Sequence, residues 1–283
     1  MKIGTDQYNT FDTMTMDCWN DRVYYEGKKF PAGHFAAEIL NFAGVIHDPL
    51  LERITVLTAL VDDLSTAEKS KRHDIAAQLK PLLHDTVSWL YTCPPFCYCE
   101  EQRAYEALEH ALSEERLDRD YEEEEAHLPY LALSFCEPIL RILVAIYNFC
   151  LLIRAFEKKY LRRAKRRNAD AFAKAAHECF DEDDSFLILL EQMPFGGVEE
   201  FFSYPRVITG FKYFQDENNA EKWKTAQRVI CKRAIDFYVF DLMNGLHHGH
   251  APSQCQGCGR YFLTTNGHIP KYCDGIAPQD RRY

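Results

Sequence analysis

The stretch ILRILVAIYNFCLLIRAF, Ile139 to Phe156, restricts what the rest of the chain can fold into. Its apolar residues cover nearly every side of a helix, so no face can be left to water. Such a segment must either cross a membrane or be wrapped by its own protein. The basic run KKYLRRAKRR that follows it imitates the flank of a membrane anchor. Arg141 and Asn148 interrupt the segment, however, and its unbroken apolar part is far shorter than the roughly 20 residues a span requires. The expectation is therefore a buried core helix, starting near Pro138 and running well past Phe156, with no membrane partner. Wrapping it is feasible, because 47% of the 283 residues are hydrophobic.

Around that helix the apolar periodicity is mostly helical. HFAAEILNFAGVIHDPLLERITVLTALVDDL reads as two helices divided at Pro49, with Asp48 as N-cap of the second. Further helices end at Pro94-Pro95. The charged stretch at 110–127 is the best candidate for an internal boundary. RVYYEGKKF suits a small hairpin around Glu26-Gly27, and FFSYPRVITGFKYF suits short strands. After Asn219, the spacing of Trp223, Ala226, Ile230, Ala234, Phe237 and Phe240 predicts a last helix, ended by Gly245 and Gly249. The fold class expected is mainly α with a few short β strands. A helical body over 1–250 would carry a small zinc-binding hairpin over 251–283.

That hairpin is expected from CQGCGRYFLTTNGHIPKYCDG. Cys255 and Cys258 form a C-x2-C knuckle in which two thiolates can converge on one ion, and Gly257 and Gly259 permit the tight turn this needs. Tyr261 and Phe262 supply an apolar floor, and the chain returns with Cys273. A redox pair lacks its usual βαβ surroundings, and free thiols leave the clustering unexplained, so a structural zinc site is the favoured reading. Three sulfurs leave such a site one ligand short.

CQGCGRYF…KYCDGIAP resembles the C-terminal signature of a bacterial family of unknown function, mostly helical proteins ending in an element of the form CxxCGRYF…YC…C. The upstream FYVFDLMNGLHHGHAPSQ is similar to the helix and linker that lead into it. The resemblance covers about the last fifty residues. It implies a fourth cysteine after Cys273, and the sequence ends at Tyr283 before any such residue. The expectation is thus either a C-terminus truncated relative to the relatives or another group completing the site. His268 is the nearest candidate; His250 follows, with His247 and His248 behind it.

Other groupings carry less. Cys93, Cys97 and Cys99 have irregular spacing and read as free thiols at a helix end. The acidic run at 181–184 reads as helix capping, and the glutamates at 122–125 as a solvated face. Lys159, Arg162, Arg163, Arg166 and Arg167 would share one helix face, able to meet phosphate or to pair with the protein's own carboxylates, the latter being favoured. Arg162, Arg163 and Arg166, with Arg260 and Lys271 of the hairpin, are the candidate nucleic-acid contacts. The formal charge of −10 opposes phosphate as a whole, so any such contact needs a local basic patch. The start MKIGTDQYNT lacks the pattern of a secretory signal. Together with eleven cysteines, that suggests reduced thiols and a cytoplasmic setting. P-loop, Rossmann, G-x-S-x-G and H-E-x-x-H patterns are missing. The functional expectation is a zinc-binding protein, non-enzymatic and regulatory, that contacts nucleic acid or a protein partner. The alternative is an enzyme of unrecognised type, its site in the helical body and its zinc purely structural.

Overall fold

The computed structural model describes residues 13–118, 129–164, 166–184, 188, 205–216, 219–265 and 273. The chain divides into two compact units, one built on residues 46–144 and the other on 13–45 and 145–283. The division falls inside two long helices, α1 (His34–Thr66) and α5 (Pro129–Lys159).

The first unit is helical. It holds the second half of α1, then α2 (Lys69–Leu90), α3 (Gln102–Ala111), α4 (Glu114–Asp118) and the first part of α5. Leu50, Ile54, Leu57, Val61 and Leu64 recur at helical spacing along α1, and all are buried. Leu79, Leu83, Val87 and Leu90 do the same along α2. Arg53 of α1 ties the two helices together through Thr86 (2.9 Å) and Asp85 (2.6 Å). Pro49 does not divide α1, as the sequence suggested; the helix runs through it. A proline removes one helical hydrogen bond, at a cost of about 3 kcal/mol. The buried stripe beyond it offsets that loss.

The second unit corrects the expected fold class, for the protein is mixed α and β. An antiparallel sheet of five strands has the order β3-β2-β1-β5-β4. Its members are β1 (Met14–Trp19), β2 (Arg22–Tyr25), β3 (Lys28–Pro31), β4 (Val207–Asp216) and β5 (Asn219–Cys231). The hairpin expected at Glu26-Gly27 is present as β2–β3, both turn residues having positive φ (46° and 72°). The helix expected after Asn219 is instead β5, and the real helix, α7, covers only Ala234–His247. The stripe from Trp223 to Ile230 was a coincidence of spacing. Val229 and Cys231 face inward at a period of two, while Trp223, which a helical stripe would have buried, is 65% exposed. Tertiary pairing decided the matter: β5 is zipped to β4 on one side and to β1 on the other.

One sheet face, bearing Met14, Met16, Val23, Tyr25, Val229 and Cys231, is buried. Tyr25, Phe35 and Phe237 pack ring to ring with centroids 5.2–5.5 Å apart. Phe149 of α5 meets Tyr238 of α7 at 5.3 Å. Among the described residues one helix, Cys136–Arg163, is long and apolar enough to cross a membrane, and 67% of its apolar window lies buried inside the protein. The start expected at Pro138 falls within α5, which begins at Pro129 and ends at Lys159. The basic run therefore does not share one helix face. It passes through a 3-10 turn at Leu161–Arg163 and then enters α6 (Ala169–Phe180), whose N-cap Asn168 accepts from the Ala171 amide at 3.0 Å.

Helix α7 anchors the unit from within. Asp241 is fully buried, and its two carboxylate oxygens accept from the amides of Gly33 (2.9 Å) and Ala36 (3.0 Å), capping α1 from a distance. One turn later, Gly245 meets Gly33, and a Cβ there would fall 2.8 Å from the Gly33 Cα. Only glycine lets the two backbones come so close. His250 completes the joint, with Nδ1 2.9 Å from the Ala32 carbonyl.

Candidate metal centre

Strands β6 (Ala251–Gln254) and β7 (Tyr261–Thr264) pair antiparallel, with the cysteine knuckle as their loop. The Cys255 amide donates to the Arg260 carbonyl (2.8 Å), and the Gly259 amide to the Cys255 carbonyl (2.9 Å). Gly259 has φ +74°, so one of the two glycines picked out in the sequence is required by its backbone. This turn brings the Cys255 and Cys258 sulfurs together. Cys273 joins them: the three ligand atoms lie within 4.8 Å of one another, with Cys258 and Cys273 at 3.5 Å.

Those separations fit a metal. Zinc–sulfur bonds of about 2.3 Å in a tetrahedron put neighbouring sulfurs roughly 3.8 Å apart. A disulfide needs about 2.05 Å, and Cys255, Cys258 and Cys273 are not joined by one. The Cys255 thiol is brought down to about 6. Burial pushes it up, but backbone N–H groups of Cys258, Cys273 and Gly257 aimed at its sulfur outweigh that. The thiolate is the form that binds metal.

Side chains from elsewhere in the second unit dock this hairpin, two of them, Arg162 and Arg167, from the basic run picked out in the sequence. Asn41 of α1 donates to the Tyr261 carbonyl (2.9 Å) and accepts from the Tyr261 amide (2.6 Å), imitating a neighbouring strand. The Arg154 guanidinium lies 5.8 Å from the centre of the Tyr261 ring. Arg167 is buried and reaches the Pro252 carbonyl (3.3 Å) and the Ser253 hydroxyl (3.4 Å). Arg162 holds Glu157 through both carboxylate oxygens (2.9 and 3.0 Å) and reaches Gln254 at 2.6 Å.

The other sequence candidates are scattered. His268 and Lys271 lie outside the described residues. His250 is spent on Ala32 and is not part of the sulfur cluster. Arg162 pairs within the protein as above, while Arg163, Arg166 and Arg260 are exposed. Arg260 acts on Glu38, whose carboxyl burial pushes up and Arg260 draws back. Cys93, Cys97 and Cys99 form no metal-capable group among the described residues. The acidic run at 181–184 is divided, with Asp181 and Glu182 on His177 (2.7 and 3.2 Å) and Asp183 on Lys159 (2.5 Å) and the Tyr160 hydroxyl.

The model of a family of unknown function (DUF6076) matches residues 203–283, from before β4 to the end of the chain. No curated protein and no solved structure matches the chain. The matched stretch contains the three clustered cysteines, Asp241, Gly245 and the longest two strands.

Proposed function

We propose that this chain is a zinc-binding, non-enzymatic binding protein of regulatory type, in which the metal is a structural clip. The observation that carries the reading is the sulfur cluster within 4.8 Å on a hairpin whose strands have only four residues each. So short a ladder is too weak to stand unaided, and a metal ion closing its loop supplies the missing free energy. Soft thiolates in tetrahedral spacing favour zinc over harder ions. His268 is the candidate for the fourth ligand, and a reducing, cytoplasmic setting suits the free thiols.

Protein purified without chelators is expected to carry one zinc per chain, and Cys258→Ala to lose it. A metal-free preparation whose 251–264 amides stay protected from exchange would defeat the reading. His268→Ala with undiminished zinc affinity removes that residue from the ligand set.

The enzyme reading has one observation in its favour. A cleft of about 590 Å³ in the first unit is lined by Lys80, His84, Asp85, Ser88 and Tyr105. Yet His84 stacks on Tyr105 at 4.4 Å, Lys80 pairs with Glu109 at 2.6 Å, and Asp85 holds Arg53. These contacts favour packing over catalysis.

A further inference from the structure

The two faces of the five-stranded sheet differ. One is the buried core face. The other is partly open to solvent: Thr15 and Lys212 are exposed, Trp19, Tyr24, Phe214 and Arg228 are half-buried, and Asp17 is buried among them. A merely wet face would alternate polar side chains with the core; this one carries three half-buried aromatic rings. Trp19 of β1 and Phe214 of β4 meet edge to face at 6.0 Å, across the small Ala226 of the intervening β5. Tyr24 of β2 extends the group, 5.9 Å from Phe214. The rings form one platform across the sheet.

Cations border the platform. Lys224 Nζ lies 4.1 Å from the Trp19 ring centre, and Lys29 Nζ 5.6 Å from that of Tyr24. Lys212 and Arg228 both grip Asp17, each at 2.8 Å, and their own side chains are still 46% and 40% exposed. Burial pushes the Asp17 carboxyl up, but hydrogen bonds and charge from Arg228 and Lys212 hold it below its usual range. These four cations outnumber the carboxylates of Asp17 and Glu26 in a chain whose total charge is −10. Between Tyr24, Phe214, Lys212 and Arg228 lies a cleft of about 390 Å³, within the roughly 300–1,000 Å³ usual for a small ligand.

We propose that this open sheet face binds single-stranded nucleic acid, with bases stacked on Trp19, Tyr24 and Phe214 and phosphates met by Lys29, Lys212, Lys224 and Arg228. Open sheets that present aromatic rings stack splayed bases in this manner, and cations beside the rings track the backbone. Charge complementarity selects this occupant: a basic patch on an acidic protein is what a polyanion requires. The lysines already placed over Trp19 and Tyr24 would exchange a ring face for a phosphate as a base stacks. The proposal rests on the reading of the chain as a binding protein and names its partner; it does not depend on the metal.

The test uses the full zinc-loaded chain and a labelled oligo(dT) of fifteen nucleotides, followed by anisotropy at low and moderate salt. Binding that weakens steeply with salt is expected. Phe214→Ala is expected to weaken it about tenfold, and Lys29→Ala with Lys224→Ala to weaken it and flatten its salt dependence. Lys174→Ala, at an exposed position on α6, is expected to leave it unchanged. With Trp89 and Trp223 replaced by Phe, oligo(dT) should quench the fluorescence of Trp19, the one tryptophan left of three. Several results overturn the proposal: no salt-sensitive binding by folded protein, equal affinity for duplex, indifference to the platform variants, quenching saturated equally well by a free mononucleotide, or a protein partner that binds this face in place of oligo(dT). Zinc content measured on the same samples separates this from the metal reading. Zinc-replete protein without binding defeats only the present proposal, and zinc-free protein that binds defeats only the former.

Discussion

Within the stretch 203–283 lie two antiparallel hairpins built on opposite principles. The pair β4–β5 has strands of ten and thirteen residues and is held by its own long ladder, with β1 joining only from Gln227 to Cys231. Beyond β1 it projects, leaving Tyr213 and Trp223 exposed by 68% and 65%. The pair β6–β7 has four residues in each strand and rests on side chains instead: three sulfurs, Asn41, Arg162 and Arg167. Length replaces cross-links. A long ladder frees its side chains for other work, while a short one spends them on holding itself.

Metal removal should break this comparison most sharply. If the proposed zinc is bound, Cys258→Ala or chelation is expected to forfeit an apparent binding free energy of about 10–16 kcal/mol. Hydrogen exchange is expected to show protection lost over 251–264 and retained over 219–231.

Next comes α7, which links the two hairpins. Complete burial pushes the Asp241 carboxyl up to about 6, against hydrogen bonds from the amides of Ala36, Gly33 and Phe35. The unfolded carboxyl titrates near 4, so the native state holds its proton more tightly. The contribution of this group is therefore fullest below about pH 4 and falls as pH rises toward about 6, by on the order of 3 kcal/mol. Urea denaturation across that window should show the decline. Asp241→Asn should lack this component, and should be less stable by about 1–3 kcal/mol because an amide offers one acceptor where two are used.

Smaller effects sharpen the contrast. Gly245→Ala drives a methyl against Gly33 and is expected to cost about 1–3 kcal/mol in thermal or urea unfolding. Asn41→Leu should cost about as much and should raise exchange at Tyr261 specifically. Trp223→Thr, on the projecting ribbon, should change stability by no more than about 0.5 kcal/mol. A larger loss would mean that this ribbon, too, depends on its side chains.

Much of the cysteine cluster was legible, because the knuckle is local. Cys255, Gly259 and Cys258 lie within five positions, and the turn that aims their sulfurs is made by those same residues. The β2–β3 hairpin was legible for the same reason. The sheet was not. Asn219–Cys231 satisfies helical spacing as well as strand alternation, and only pairing with β4 and with the distant β1 chose between them. The basic run was misplaced because nothing in Lys158 to Arg167 announces that Arg162 reaches Gln254 and that Arg167 is buried against Ser253, some ninety positions on.

By itself, then, the sequence determined the elements whose physics is short-ranged: the cysteine turn, the tight hairpin and the apolar helix that had to be buried. The tertiary structure decided which face of the sheet would stay open, that Asp241 would cap α1, and that Asn41 would receive the hairpin. Each of those depends on partners more than two hundred residues apart in the chain. Local propensity carries no information about such contacts; only the burial and hydrogen bonding they bring, weighed over the whole fold, selects them.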